Sequence, residues 1–125
     1  MSRVLIVDDS PSIRLLLVRR LEMAGHETDE AGDGRRAVEA LTEAADGDRA
    51  EIVLLDAMLP DAEGAEVLTA VKEARPDVPV LVVSAVTGLA QDPDWSVAEG
   101  HLAKPIDFDD LLGRIEALTS GPPRP

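Results

Sequence analysis

The chain has 125 residues and a formal net charge of −13, from 25 Asp and Glu against 12 Lys and Arg. This length suits one domain, and a hydrophobic fraction of 45% excludes a disordered acidic tail. The charge disfavours direct binding to nucleic acid or to an anionic membrane surface, and the lack of cysteine excludes disulfides, thiol nucleophiles and cysteine-ligated zinc.

The first half of the chain predicts strands and helices in alternation. Residues 4–7 form a short apolar run, typical of a strand buried on both faces. Ser10 and Pro11 predict the start of a helix, because serine is a favoured N-cap and proline is tolerated at the first helical position. This helix ends near Gly25. Residues 26–31 have few apolar side chains and predict a second strand at a sheet edge.

The same alternation continues toward the C-terminus. After a second helix that begins at Asp33, residues 52–55 predict a buried third strand. A third helix follows, then a buried fourth strand over residues 80–83 and a short fifth strand at 102–103. The last helix begins near Asp107, which matches the pattern of a capping residue.

Polar residues stand at the carboxyl ends of four predicted strands. Asp8 and Asp9 follow the first strand, Asp56 the third, Ser84 the fourth and Lys104 the fifth. Alternating strands and helices with short connections imply a parallel sheet with helices on both faces. Binding sites in such folds lie beyond the carboxyl ends of the strands. If the four strands are neighbours, the polar side chains converge in one crevice.

Such a crevice could bind a metal ion and a phosphoryl group. Three carboxylates in close contact stay ionised together only around a cation, and Mg²⁺ prefers oxygen ligands. A carboxylate can also attack phosphorus and form an acyl phosphate, with the metal screening the charges. Lys104 could pair with the phosphoryl group, and Ser84 could donate a hydrogen bond to it. These residues therefore predict an aspartyl-phosphate site.

The same segments resemble the receiver domain of bacterial two-component response regulators, over about residues 3–119. The quoted segments are Val-Leu-Ile-Val-Asp8-Asp9-Ser, Val-Leu-Leu-Asp56-Ala-Met-Leu-Pro60, the later Gly64, Val-Val-Ser84-Ala85 and Lys104-Pro105. The resemblance implies a flavodoxin-like, doubly wound α/β fold with five parallel strands in the order 2-1-3-4-5. It implies a single-domain, chemotaxis-regulator-like receiver over residues 1–120. The composition of residues 121–125, Gly-Pro-Pro-Arg-Pro, predicts a proline-rich tail or a truncated linker.

The resemblance also implies the metal ligands. By it, Asp9 ligates Mg²⁺ directly and Asp8 through water, while Asp56 and the backbone carbonyl of Met58 complete the site. Asp56 is also the implied phosphoryl acceptor.

The resemblance further implies how the domain signals. Ser84 and Lys104 would bind a phosphoryl group that comes from a sensor histidine kinase or a phosphotransfer protein. The chain would catalyse only its own phosphorylation and dephosphorylation. Ser84 would then shift, which remodels the face made by the fourth helix, fifth strand and fifth helix for a downstream protein partner.

Two departures from the family pattern fall on that face. Three residues before Lys-Pro the family usually has Tyr or Phe, whereas this chain has His101, either a titratable switch or a plain surface histidine. Gly88 and Pro93 interrupt residues 86–99, so we expect a short, displaced or irregular fourth helix with Trp95 in the core. The face has few basic residues, and we expect a monomer or a weak dimer.

Several alternatives compete with this interpretation. The main one is a pseudo-receiver, an interaction module that is not phosphorylated. An aspartyl phosphatase would need Asp-x-Asp at the first strand, and a dinucleotide-binding domain would need Gly-x-Gly-x-x-Gly after it; neither pattern occurs there. Since no apolar run approaches ~20 residues and the N-terminus lacks a signal-peptide pattern, we expect a cytoplasmic protein with no membrane partner.

Overall fold

Five strands and four α-helices make up the described part of the chain, which the computed structural model gives as residues 2–43, 49–57, 64–85, 88 and 91–119. The strands are β1 (Arg3–Val7), β2 (Glu27–Ala31), β3 (Ile52–Asp56), β4 (Val80–Ser84) and β5 (Gly100–Ala103). The helices are α1 (Pro11–Met23), α2 (Gly34–Glu43), α3 (Gly64–Ala74) and α4 (Phe108–Thr119). None of these helices is long and apolar enough to cross a membrane.

The five strands form one parallel sheet in the order β2-β1-β3-β4-β5, which confirms the predicted fold and strand order. Every residue of β3 and β4 is buried, as expected for strands with helices on both faces. β2 lies at one edge and buries only its last residue fully, which confirms the edge position that its polar sequence predicted.

Alternate residues of the central strands enter two separate hydrophobic cores. Leu5 and Val7 of β1 pack on the side of α2 and α3, whereas Val4 and Ile6 pack on the side of α1 and α4. This two-sided burial is the largest favourable term in the stability of the sheet, at about 1.5–3 kcal/mol for each fully buried Val, Leu or Ile. It fixes the strand register and therefore the positions of the residues that follow the strands.

Two predicted helix starts are confirmed in detail. The Ser10 side-chain oxygen accepts a hydrogen bond from the backbone N–H of Ile13 at 3.3 Å, directly before the proline that opens α1. The Asp107 carboxylate accepts from the backbone N–H groups of Asp109 and Asp110 at the start of α4. β1 ends at Val7 and α1 begins at Pro11, so Asp8 and Asp9 lie in a tight turn that the Ser10 cap closes.

No α-helix occurs among residues 85, 88 and 91–99, the described residues that connect β4 to β5, where we expected a short, displaced or irregular fourth helix; α4 is therefore the last helix of the described chain. Residues 91–99 instead form successive turns, with Trp95 N–H donating to the Asp92 carbonyl at 3.0 Å. Pro93 cannot donate a backbone hydrogen bond, which explains why a regular helix does not form here. Trp95 is only 9% exposed and packs in the core beside α2 and α3, as predicted.

Gly34→Ala is expected to destabilise the fold although alanine favours helices more than glycine does. A Cβ at Gly34 would lie 2.6 Å from Cγ2 of Val67, at the contact between α2 and α3. We expect a loss of about 1–3 kcal/mol in the free energy of unfolding, measured in urea. Val67→Ala makes room for the new methyl group, so the double variant should lose less than the sum of the single losses. Strict additivity would contradict the steric argument.

Candidate functional site

The strand order brings the predicted polar residues to one edge of the sheet. β1, β3, β4 and β5 are consecutive neighbours, so their carboxyl ends lie side by side. Asp56 pairs with Val83, directly before Ser84, and Ser84 pairs with Ala103, directly before Lys104. The polar residues that end these strands or follow them therefore lie together at one edge of the sheet.

Three carboxylates form the centre of this cluster. One oxygen from each of Asp8, Asp9 and Asp56 lies within 4.8 Å of the others. Asp8 and Asp56 are 3% and 5% exposed, whereas Asp9 is exposed. Burying two carboxylates beside a third is costly unless a cation or strong hydrogen bonds compensate the charge.

The electrostatics of Asp8 reflect this crowding. Burial raises the pKa of Asp8, and the carboxylates of Asp56 and Asp9 raise it further. Two groups act in the opposite direction: the Ser10 backbone N–H, which donates to Asp8 Oδ1 at 2.9 Å, and the Lys104 ammonium. Since the pKa remains raised, these two groups do not neutralise the cluster on their own.

Lys104 forms an ion pair with Asp56, the phosphoacceptor candidate. Its Nζ lies 3.5 Å from Asp56 Oδ2, the long limit of a hydrogen bond, and its side chain is 31% exposed. The Lys104 backbone N–H donates to the Ser84 carbonyl at 2.9 Å, and the peptide bond to Pro105 is cis. Ser84 is itself buried.

The donor set fits Mg²⁺. The converging atoms are carboxylate oxygens, which are the hard ligands that Mg²⁺ takes, and one of the three acids is open to solvent. The predicted Met58 carbonyl lies outside the described residues. The three acids present more negative charge than Lys104 offsets, so a divalent cation would complete the balance of charge.

Arg14 is a residue that the sequence interpretation missed. Its guanidinium donates a 2.6 Å hydrogen bond from Nη1 to the backbone carbonyl of Asp8. The available signal was its position, one helical turn after the Ser10 cap. That position alone does not tell whether the side chain folds back to the strand or extends into solvent.

His101 lies on β5 rather than beside the three acids. It pairs with Val82 of β4, and its Nε2 lies 3.0 Å from the Trp95 carbonyl oxygen. Its own carbonyl accepts a 2.9 Å hydrogen bond from Nη1 of Arg114 on α4. His101 therefore connects β5 both to the turns at 91–99 and to the last helix.

Comparison with known proteins agrees with this architecture. The family model of the response regulator receiver domain matches residues 4–116. The transcriptional regulatory protein TcrA of Mycobacterium tuberculosis is 40% identical over 98% of this chain and 49% of its own length. The chain thus spans about half the length of the curated relatives that it matches.

Solved structures give the same result. The response regulator TrrA of Thermotoga maritima, in complex with Mg²⁺-BeF, is 29% identical with a TM-score of 0.84, over 94% of this chain and 99% of TrrA. TrrA in complex with the histidine kinase ThkA is similar with a TM-score of 0.83 and 29% identity, over 94% of this chain and 98% of that one. The similarity extends over nearly the whole chain.

Proposed function

Because this chain belongs to the response regulator receiver domain family, we propose that it is a signalling domain that accepts a phosphoryl group on Asp56. The donor would be a phosphohistidine on a sensor histidine kinase or a phosphotransfer protein. One observation carries the proposal: the carboxylates of Asp8, Asp9 and Asp56 converge with Lys104 beside Asp56. The kinase bound to TrrA supports the class of donor.

Asp8, Asp9 and Asp56 would hold Mg²⁺, together with the Met58 carbonyl. When bound, the ion would neutralise the repulsion between the carboxylates and the incoming phosphoryl oxygens. The Mg²⁺-BeF complex of TrrA supports this choice of metal. Burial and the neighbouring carboxylates raise the pKa of Asp8, and a bound cation would favour its ionised form.

Phosphoryl transfer would proceed by attack of an Asp56 carboxylate oxygen on phosphorus. The P–O bond to Asp56 forms as the P–N bond of the phosphohistidine breaks, and the imidazole, protonated on its other ring nitrogen, leaves as the neutral base with the electron pair of the broken bond. Lys104 lies near enough to Asp56 to pair with the transferred phosphoryl oxygens. Ser84, at the end of the neighbouring strand, would donate its hydroxyl to the same group.

The histidine-bearing donor needs a surface on which to dock, and an apolar groove adjoins the site. It has a volume of about 290 Å³ and is lined by Ile13, Leu16 and Phe108, with Lys104 and Pro105 at the side of the phosphoacceptor. Lys104 thus belongs to both the groove and the site. We therefore propose that the phosphodonor protein docks over α1 and the loop that leads into α4.

The output of the domain would follow from Ser84 and His101 as switch residues. Ser84 and His101 lie on the paired strands β4 and β5, so a shift of Ser84 can be transmitted along the pair. His101 would transmit this shift to residues 91–99 through its contact with the Trp95 carbonyl. The face formed by residues 91–99, β5 and α4 would then bind a separate downstream protein.

Three further expectations stay predictions: a cytoplasmic location, a monomer or weak dimer, and signalling without direct contact with nucleic acid. The net charge of −13 supports the last of these for this part of the protein. The domain assignment, a receiver over residues 1–120 followed by a tail, also stays a prediction, because 120–125 lie outside the described residues.

Beryllofluoride binding tests this proposal against the pseudo-receiver. Beryllofluoride mimics a phosphoryl group, so with Mg²⁺ it should change the fluorescence of Trp95, the single tryptophan of the chain. Asp56→Asn should remove the change and serves as the control. His101→Ala should weaken the fluorescence change while retaining beryllofluoride binding. A parent protein that fails to bind beryllofluoride would favour the pseudo-receiver.

A further inference from the structure

Arg14 connects the acid pair to both α1 and β2. From its place on α1, its Nη1 donates to the Asp8 carbonyl at 2.6 Å, and its Nε donates to Glu30 Oε1 of β2 at 3.2 Å. The Arg14 side chain is 19% exposed, whereas that of Glu30 is 48% exposed. These two contacts place the Arg14 guanidinium between the end of β1 and β2.

The chain makes room for this guanidinium at Gly32. A Cβ at Gly32 would lie 3.3 Å from Arg14 Nη1 and 3.8 Å from Cζ. The guanidinium therefore lies directly against the backbone that follows β2. A side chain at position 32 would press on the group that contacts Asp8.

The contacted carbonyl belongs to the peptide that joins Asp8 to Asp9. Because this peptide is planar, fixing its oxygen also fixes the direction in which the chain continues to Asp9. The Asp8 backbone N–H already donates to the Ala31 carbonyl at 3.1 Å. Arg14 adds a further restraint on this backbone, and this one is made by a side chain.

We propose that Arg14 is a positioning residue for the acid pair and thereby sets its affinity for Mg²⁺. The inference rests on the proposed metal site at Asp8, Asp9 and Asp56. Groups that orient metal ligands from behind typically change metal affinity by about 10–100-fold when they are removed. Arg14 would act through Asp8 and Asp9 without contacting the metal itself.

The sign of the effect separates positioning from simple charge. If Arg14 were only a nearby cation, its removal would reduce repulsion and tighten Mg²⁺ binding. If Arg14 orients the acid pair, its removal weakens Mg²⁺ binding. Arg14→Lys sharpens the contrast, because lysine keeps the charge but lacks the planar fork that reaches Asp8 and Glu30 together.

The experiment compares Mg²⁺ affinity, by isothermal titration calorimetry, with the melting temperature of the metal-free protein. Arg14→Met and Arg14→Lys should each weaken Mg²⁺ binding by about tenfold. Arg19→Met is the control, because Arg19 is exposed on the same helix and its substitution removes the same positive charge. It should change the affinity by less than about twofold, because exposed charges are screened.

Three outcomes decide the matter. Tighter or unchanged Mg²⁺ binding by Arg14→Lys overturns the positioning role. Gly32→Ala changes no charge but places a methyl group against the Arg14 guanidinium, so it should also reduce the affinity and keeps the test available if Arg14→Met fails to fold. Absence of Mg²⁺ binding by the parent overturns the metal site itself, which is a separate result.

Discussion

Asp8→Asn is expected to stabilise the metal-free protein and to abolish its thermal response to Mg²⁺. The variant removes one of three converging negative charges, at a position that is 3% exposed. Asparagine keeps a side-chain oxygen that can still accept the hydrogen bond from the Ser10 backbone N–H. We expect the melting temperature of the metal-free protein to rise by about 2–5 °C, which is what roughly 1 kcal/mol produces in a domain of this size.

Asp107→Asn is the matched control for this experiment. Asp107 is exposed, and its carboxylate also accepts backbone hydrogen bonds at a helix start. The control makes the same change in net charge at a residue that is not part of the three-carboxylate cluster. It should leave the Mg²⁺-dependent rise in melting temperature intact, as in the parent. A destabilised Asp8→Asn variant, or one that still responds to Mg²⁺, would contradict the proposed repulsion among the three carboxylates.

The same carboxylate predicts a pH dependence with a definite sign. Because the pKa of Asp8 is raised in the folded protein, the folded state binds more protons than the unfolded state between the two pKa values. The contribution of Asp8 to stability therefore falls as the pH rises through that window. The stability advantage of Asp8→Asn should grow from acid to neutral pH, as measured by urea unfolding without metal. A constant advantage would refute this explanation.

Lys104→Met is expected to slow phosphorylation of Asp56 by about a hundredfold, the usual loss when one preorganised charge at a reacting group is removed. Lys104 Nζ lies 3.5 Å from Asp56 Oδ2, where it can pair with the phosphoryl oxygens as charge develops on them. The rate would be followed by intact mass during incubation with acetyl phosphate and Mg²⁺.

Mg²⁺ affinity provides the internal control for Lys104. Removing a cation beside the acids should leave Mg²⁺ binding unchanged or tighter, so slower phosphorylation cannot be attributed to loss of the metal. Lys104→Arg keeps the charge and should retain more of the rate than Lys104→Met. An unchanged rate in Lys104→Met would remove Lys104 from the phosphoryl site.

The arrangement of the site could be predicted because each of its residues ends a strand. The apolar run before Asp56 identifies a buried strand, and the parallel fold then fixes the edge at which its last residue lies. The same reasoning located Ser84 at the end of β4 and Lys104 directly after β5. The predicted crevice therefore follows from local patterns and one rule of sheet topology.

Other features depend on contacts that no local pattern encodes. The position of Arg14 requires Glu30 and Gly32 beyond the first helix, and those residues come together with it only when β2 pairs with β1. Pro93 disfavours a helix at residues 91–99. The path of these turns then depends on the packing of Trp95 against core residues that are remote in sequence. These features reflect tertiary packing rather than local propensity.

Intact mass spectrometry after incubation with acetyl phosphate and Mg²⁺ tests the central claim most directly. Asp56 as phosphoacceptor predicts that the parent gains about 80 daltons, one phosphoryl group, and that Asp56→Asn gains nothing. Lack of any gain in the parent, or an equal gain in Asp56→Asn, would contradict it.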